Sequence, residues 1–434
     1  MRILLIDVGG NFLDFALRCI AAGHTVRWFI APGKNGERLP IGDGLVEKVN
    51  EWQKWMGASD LILTSDNTRY MVALEPYRKL GYPIFGPNVA GAEMELNRSI
   101  GQDVWKQAGV PIMEYKTFHS YDDAIKFVEK NANKRYVSKP SGDADKALSY
   151  VSKDAGDMRE MLRRWKKKGK LQQPFILQEF KPGIEVAVGG WFGKHGFSEN
   201  FNINFEHKKF LTGNLSCNTG EQGTVIYYTK AEKLAREILL PLSDYLHSIG
   251  YTGYMDAAAI VDKDAAWPLE VTARFGWPHK QIITSLHDSD PAEWMADLLD
   301  GYDTLETKKG ICTGVVVTMG DFPFNVKPRD ENCGIPIYCD HNEHIHPAEI
   351  MAGTCSHIIG SKLIDLPTWV SAGNYLLVAT GIANTVSGSS KKAYEVIKEI
   401  DIPNSPGYRI DIGDRLKKEL PELQKLGYCK TISY

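Results

Sequence analysis

Short apolar runs alternate with amphipathic stretches at the start of the chain. Ile3 to Ile6, Thr25 to Ile30, Leu61 to Thr64 and Pro83 to Phe85 read as buried strands, and Asn11 to Ala22 and Tyr70 to Leu80 between them carry helical spacing. That rhythm predicts a small, parallel, doubly wound sheet over residues 1–103. Its ligand crevice should lie at the strand ends, at Gly9-Gly10-Asn11, Ala31-Pro32-Gly33 and Ser65-Asp66-Asn67-Thr68. A helix from Arg98 to Ala108 follows and runs into Gly109-Val110-Pro111. Beyond it the pattern mixes a helix at Ala124 to Asn131, a strand ending at Lys139 and a helix from Met158 to Lys168. Residues 190–325 read as a larger antiparallel sheet with one helix from Ala231 to Ile249. After about 326 short strands and turns dominate, closing with a helix from Ser390 to Ile400. The expected division is therefore 1–103, 104–325 (with a lid at about 115–190) and 326–434.

Length agrees with such a division, since 434 residues exceed one simple core. A net charge of −3 gives no global attraction to nucleic acid or to acidic membranes, and neither is expected as a partner. No apolar run reaches the roughly 18 residues needed to span a bilayer. MRILLIDVGG is too short and too soon acidic for a secretory signal and reads as a strand with a glycine turn. Seven scattered cysteines argue against a disulfide framework, so a reducing, cytoplasmic setting is expected.

Candidate chemistry concentrates in the second half. Asp256 on one strand, Glu270 on the next and Arg274 four residues later would bring two hard oxygen ligands and one phosphate clamp to a single cleft. Lys139, at the end of an apolar strand next to a glycine-containing loop, has the reach to meet nucleotide phosphates, and equally reads as an ordinary edge lysine. The run Gln178-Glu179-Phe180-Lys181 leaves an apolar strand, and Glu185 opens the next. Backbone groups at such a strand end suit an adenine edge, and a carboxylate suits ribose hydroxyls. The run from Tyr408 to Arg415 alternates Arg and Asp and is expected to pair across a sheet. Cys333, Cys339, His341, His344, His346, Cys355 and His357 invite a zinc reading, but their spacing fits no common finger and a histidine-bearing surface loop is preferred.

These features, in this order, resemble the ATP-grasp ligases and, within them, phosphoribosylamine–glycine ligase. The residues that carry the resemblance are Ala31-Pro32-Gly33, Phe85-Gly86-Pro87, Gly109-Val110-Pro111, Gln178-Glu179-Phe180 with Gly183-Ile184-Glu185, and His207-Lys208. Asn218-Thr219-Gly220, Glu270 with Arg274-Phe275-Gly276, and Tyr408 to Gly413 complete the set. The resemblance implies an α/β (α+β) ATP-grasp fold with an N-terminal doubly wound domain and a small β-rich C-terminal domain. It implies ATP and Mg²⁺ (or Mn²⁺) as cofactors and small-molecule substrates, in a monomer or homodimer. Arg98 and Lys139 would meet phosphates, Gln178, Glu179, Phe180 and Lys181 the adenine, and Glu185 the ribose. Asp256, Glu270 and Thr272 would bind metal. Arg274 and the lid residue Lys146 would act on the phosphoryl group in flight. Gly10, Asn11, Asn218, Thr219, Gly220 and Arg274 would line the acceptor side.

The chain departs from the family where the family has Gly-Gly-Arg-Glu-His: here Gly9-Gly10 is followed by Asn11-Phe12-Leu13. Ser65-Asp66-Asn67-Thr68-Arg69 stands in place of Pro-Glu-Ala-Pro-Leu. Arg98 replaces a lysine, Thr272 an asparagine, and Trp277-Pro278-His279 an Asp-Pro-Glu run; the lid keeps Gly142 but adds Asp143 and Asp145. The implied reaction joins glycine to 5-phosphoribosylamine through an acyl phosphate. Two alternatives stand beside it: the same chemistry on another carboxylate and amine, and a nucleotide-binding protein without turnover.

Overall fold

The computed structural model describes residues 1–434 except 34–35, 66, 142–147, 171–173, 231, 321, 325–328 and 404–405. The N-terminal strands Arg2–Asp7, Thr25–Ile30, Leu61–Thr64 and Ile84–Phe85 are all parallel, with the first of them between the second and third. The doubly wound expectation therefore holds, and the chain reverses its winding direction between Arg2–Asp7 and Leu61–Thr64. Such a switch point is where an open α/β sheet places its ligand crevice, beyond the ends of those two strands.

A smaller, antiparallel sheet forms the lid, in the order Tyr115–Phe118, Phe175–Glu179, Tyr136–Pro140, Tyr150–Val151. Helices Tyr121–Lys130 and Ala155–Lys167 cover it. Phe118, Tyr136, Trp165 and Phe175 belong to an apolar core of the lid's own. Asp154 caps the second helix by accepting from the Asp157 N–H at 2.8 Å, which fixes its start.

The floor is a large sheet of nine strands among the described residues. Its central order is Ala266–Thr272, Gly253–Val261, Ile184–Gly193, Phe201–Glu206, Gly223–Thr229, Ile311–Thr318. Tyr375–Ala383 and Ile345–Pro347 continue it, so the sheet runs across residue 326 without a break. A separate three-stranded sheet, Cys333–Ile337 with Lys362–Ala372 and Ile350–Ile359, and the helices Val386–Lys398 and Leu416–Lys425 complete the C-terminal part.

Two expectations fail for local reasons. The single helix over 231–249 is broken: a π turn at Ala235–Leu239 passes through a 3₁₀ turn at Leu240–Leu242 into a short α-helix, Ser243–Ser248. Pro241 has no N–H for a regular ladder, and the Leu240 N–H bonds back to Ala235 instead. The Arg/Asp run at 408–415 is not a strand. Arg409 is fully buried and bridges its own neighbour Asp411 at 2.8 Å to the carbonyl of Lys209 and the side chain of Asn214. Among the described residues no helix is long and apolar enough to cross a membrane, and no three His, Cys, Asp or Glu side chains gather to hold a metal. Of the Cys/His segment, His346 is buried against Asp14 and Ser285, and His341 stacks on Trp369.

Lys280 packs where the N-terminal domain meets the floor. Its ammonium nitrogen lies 3.9, 3.7 and 4.5 Å from the ring centres of Phe12, Phe15 and Phe275, with no hydrogen-bond partner among the described residues. Burial pushes its pKa down to about 7, although the ring faces favour the charged form. The unfolded chain, with a value of about 10.4, binds the extra proton between these limits, so Lys280 makes stability rise with pH from about 7 to about 10. Lys280→Met should melt above the wild type at pH 7, and thermal scans at pH 7, 8 and 9 should show that advantage shrinking. An offset independent of pH would contradict this assignment.

Candidate active site

Strand alternation builds the site. Asp256 pairs with Gly189 and Thr272, Ala258 with Ala187 and Glu270, and Ile260 with Glu185. Directly opposed residues share a face, so Glu185, Asp256, Glu270 and Thr272 point to the same side. Asn202 opposes Gly189 and Asn204 opposes Ala187, which puts Asn202, Asn204 and Glu206 there as well. The opposite faces of these strands, with Val186, Val188, Ala257 and Ile203, are buried in the core.

A bulge sharpens the edge of this face. Register shifts between Ala258 and Ala259, so that Glu270 and Pro268 pair with consecutive residues and Leu269 is left over. Its carbonyl accepts from the Lys139 ammonium and from the Gln102 amide, both at 3.3 Å. Lys139 thereby reaches from the lid sheet to the floor. Burial pushes its pKa down to about 8, against the pull of Glu270.

Glu270 is held from two sides. Arg98, the first residue of the helix Arg98–Gln107, donates a short hydrogen bond to Oε2. Asn97 fixes that helix start by accepting from the Ser99 N–H. Lys208 donates to Oε1 at 3.3 Å. The Arg98 guanidinium foremost, then Lys208 and Lys139, hold the Glu270 carboxyl far below the usual carboxylate range against its burial. Lys208 also meets Glu185 at 3.1 Å and Glu206 at 3.0 Å. Burial opposes its charge, but these three carboxylates keep its pKa well above the ordinary lysine value. Lys208 itself lowers Glu185.

Further along the face the environment changes sign. Asp256 accepts from Asn204 at 2.8 Å and from Tyr254 at 3.0 Å, and the Tyr254 hydroxyl also shares a 2.6 Å hydrogen bond with His279. Burial, with Glu206 adding to it, raises Asp256 to about 8. His279 is driven down to about 3 by burial and is neutral. The close approach of the Tyr254 hydroxyl to residue 189 leaves no room for a Cβ there, which accounts for Gly189.

The other expected residues lie at the end of the lid strand Phe175–Glu179, after the strand Leu215–Asn218 and after the strand Ala266–Thr272. Gln178 is buried, and Glu179, at the end of the same strand, pairs with Lys134 at 2.8 Å. Phe180 lies under the Arg135 guanidinium, and Lys181 sits 4.2 Å from the Trp267 ring centre. Thr219 is tied to the Lys208 carbonyl by its N–H and hydroxyl, Asn218 ends the short strand before it, and Gly220 is exposed. Arg274 pairs with Glu95 at 3.1 Å. Lys146 and the acidic lid residues Asp143 and Asp145 lie outside the described residues.

Gly10 and Asn11 sit in the N-terminal crevice, but the turn is already occupied by an anion of the protein. The buried Asp7 carboxylate accepts from the N–H groups of Gly9 and Gly10 at 3.2 Å, of Phe12 at 2.8 Å, from Ser65 at 2.7 Å and from the Trp28 indole at 3.1 Å. Gly10 has a φ of +80° and stands against Ile41, so only glycine fits. Sequence reasoning passed over Asp7, Asn204 and Glu221, and singled out the run Glu206 to Lys209 without giving Glu206 or Lys208 a partner. The signal was present for two of them: Phe201-Asn202-Ile203-Asn204-Phe205-Glu206 alternates polar and apolar residues, as a strand with one polar face does.

Taken together, a small lid sheet set over a large polar floor makes up the ATP-grasp fold. Residues 97–280 match the family model described as phosphoribosylglycinamide synthetase, ATP-grasp (A) domain. Along nearly its whole length the chain is related to the phosphoribosylamine–glycine ligases. It is 24% identical to that of Ralstonia nicotianae over 96% of this chain and 99% of the relative, and 24% identical to that of Lactococcus lactis over 96% and 100%. The crystal structure of phosphoribosylamine–glycine ligase from Thermotoga maritima superposes with a TM-score of 0.71 at 18% identity, covering 95% of this chain and 100% of that one.

Because Glu185 and Glu270 are held ionised below their ordinary values, their share of stability is present above about pH 4.3 and is lost as pH falls through the depressed folded values. Lys208→Met leaves three carboxylates facing one another. It should lower the melting midpoint at pH 7 and weaken ATP binding by about tenfold or more, with the midpoint deficit smaller at pH 4. Calorimetric titration of ATP and melts at the two pH values check both effects.

Proposed function

We propose that this protein is an ATP-dependent carboxylate–amine ligase that joins glycine to 5-phosphoribosylamine. The observation that carries the reading is the clamped Glu270, flanked by Arg98, Lys139 and Lys208 on a floor that Glu185 extends. Positive groups converge where a triphosphate would lie, and one carboxylate stands among them. The donor chemistry fits a hard cation: Mg²⁺ takes one or two carboxylates and leaves its other positions to water and phosphates, so no preformed cage is needed. Glu270 and the Thr272 hydroxyl would hold Mg²⁺ (or Mn²⁺), which would neutralise charge on the phosphates. Asp256, bonded to Asn204 and Tyr254, belongs to the neighbouring polar network.

In this reading the carboxylate oxygen of glycine attacks the γ-phosphorus, the bond to the β-phosphate bridging oxygen breaks, and ADP leaves. The amine nitrogen of the acceptor then attacks the acyl carbon, phosphate leaves, and the nitrogen loses a proton to complete the amide. Lys139 and Arg98 orient the phosphates, Arg274 stabilises the charge on the group in transfer, and Glu185 fixes the ribose. Gln178 to Lys181 border the adenine. This is catalysis by positioning and charge neutralisation and needs no protein nucleophile.

One observation favours a second reading, the same chemistry with a different amine. Asp7 fills the turn at Gly9-Gly10 and takes the N–H groups that would otherwise face a phosphate. ADP release from ATP and Mg²⁺, with freshly generated phosphoribosylamine and with glycine, each omitted in turn, separates the two. Release only when both are present is the expected outcome. Release with glycine and some other amine, but not with phosphoribosylamine, selects the second reading. Glu270→Ala should abolish release by several orders of magnitude while the fold melts cooperatively.

A further inference from the structure

Beyond Glu270 the polar face carries acceptors that nothing in the protein satisfies. Glu221 is 4% exposed and Asn204 is fully buried. Among the described residues, Oε1 of Glu221 and Oδ1 of Asn204 have no hydrogen-bond partner. The Thr224 hydroxyl, opposite Glu206 on the same face, also lacks one. Glu221 lies within electrostatic reach of Glu206 and Asp256, and of Lys208 and Arg274, but neither cation bonds to Oε1. A buried carboxylate or amide oxygen without a partner costs free energy that a donor-bearing ligand can return.

We propose that Glu221, Asn204 and Asp256 form the pocket for the α-ammonium group of the amino-acid substrate, with its carboxylate directed toward Arg274. The proposal rests on the ligase reading above and assigns the subsite within it. Three arguments select this ligand. Orphaned acceptors in an acidic setting call for a compact donor of positive charge. No three acidic or histidine side chains among the described residues close around a point, which disfavours a bare metal ion. An acidic pocket also keeps an amine protonated, which disables a nucleophile but suits the nitrogen of the substrate whose carboxylate is activated. That nitrogen sits two bonds from the acyl carbon, so its pocket must adjoin the phosphoryl site, and Arg274 stands at that junction.

The test is calorimetric titration of the full-length protein, loaded with Mg²⁺ and a non-hydrolysable ATP analogue, with glycine, acetate and N-acetylglycine. Glycine is expected to bind about tenfold or more tightly than either ligand lacking the ammonium. Glu221→Gln should lose a similar factor for glycine while the affinity for the ATP analogue changes less than about twofold. Equal binding of glycine and acetate by the wild type overturns the proposal without recourse to any variant. So does a Glu221→Gln effect confined to the KM of the amine acceptor. Selective glycine binding without ADP release for any amine would reject the ligase reading and leave the subsite standing.

Discussion

One ammonium group holds the floor of the cleft together. Lys208 reaches carboxylates from three separate strands, Glu185, Glu206 and Glu270, at 3.0 to 3.3 Å. Without it, three like charges would share one partly buried face. With it, and with Arg98 on the far oxygen of Glu270, the face is close to neutral and its carboxylates stay ionised. The arrangement needs the strand register to be right at every rung, because a slip of one residue would send each acid into the apolar side of the sheet. Charge balance and topology are one constraint here.

The same face shows a division of labour along its length. Near Lys208 the carboxylates are paired and held below their ordinary pKa. A few rungs on, at Asp256 and Glu221, burial and the neighbouring Glu206 outweigh the pull of Lys208 and push them up. In the proposed reading, one end takes phosphates that arrive with cations and the other a positive group. Across the crevice, the Asp7 carboxylate has settled the needs of the Gly9–Phe12 turn internally. Under the proposed function, an anionic acceptor would be recognised by side chains and not by that backbone.

Much of this was legible in the sequence, for reasons that differ by element. The parallel N-terminal strands were readable because each is a short apolar run bounded by turn residues. Glu270, Arg274 and Lys139 stood out as strand-end charges beside apolar runs, although such charges also serve as edge residues and ion-pair partners, as Arg274 does with Glu95. Pro241 was visible, yet the continuing apolar spacing around it suggested one helix. Arg409 and Asp411 looked like a strand pattern, whereas they anchor a hairpin almost two hundred residues away. Lys208 was noticed only as part of a motif, since its three partners are remote in sequence. Asp7 escaped notice because its role depends on backbone donors, which a sequence does not display.

The floor and the lid differ in how they are secured. The large sheet continues from the ATP-grasp strands into Tyr375–Ala383 and Ile345–Pro347, so the cleft floor shares its backbone ladder with the C-terminal part. The lid closes its own core around Phe118, Tyr136, Trp165 and Phe175. Its main-chain amides therefore belong to a separate cooperative unit, with an opening equilibrium of its own. Deuterium would enter the lid on one timescale and the floor on another, slower one, and a protease that nicked the lid would leave the floor standing.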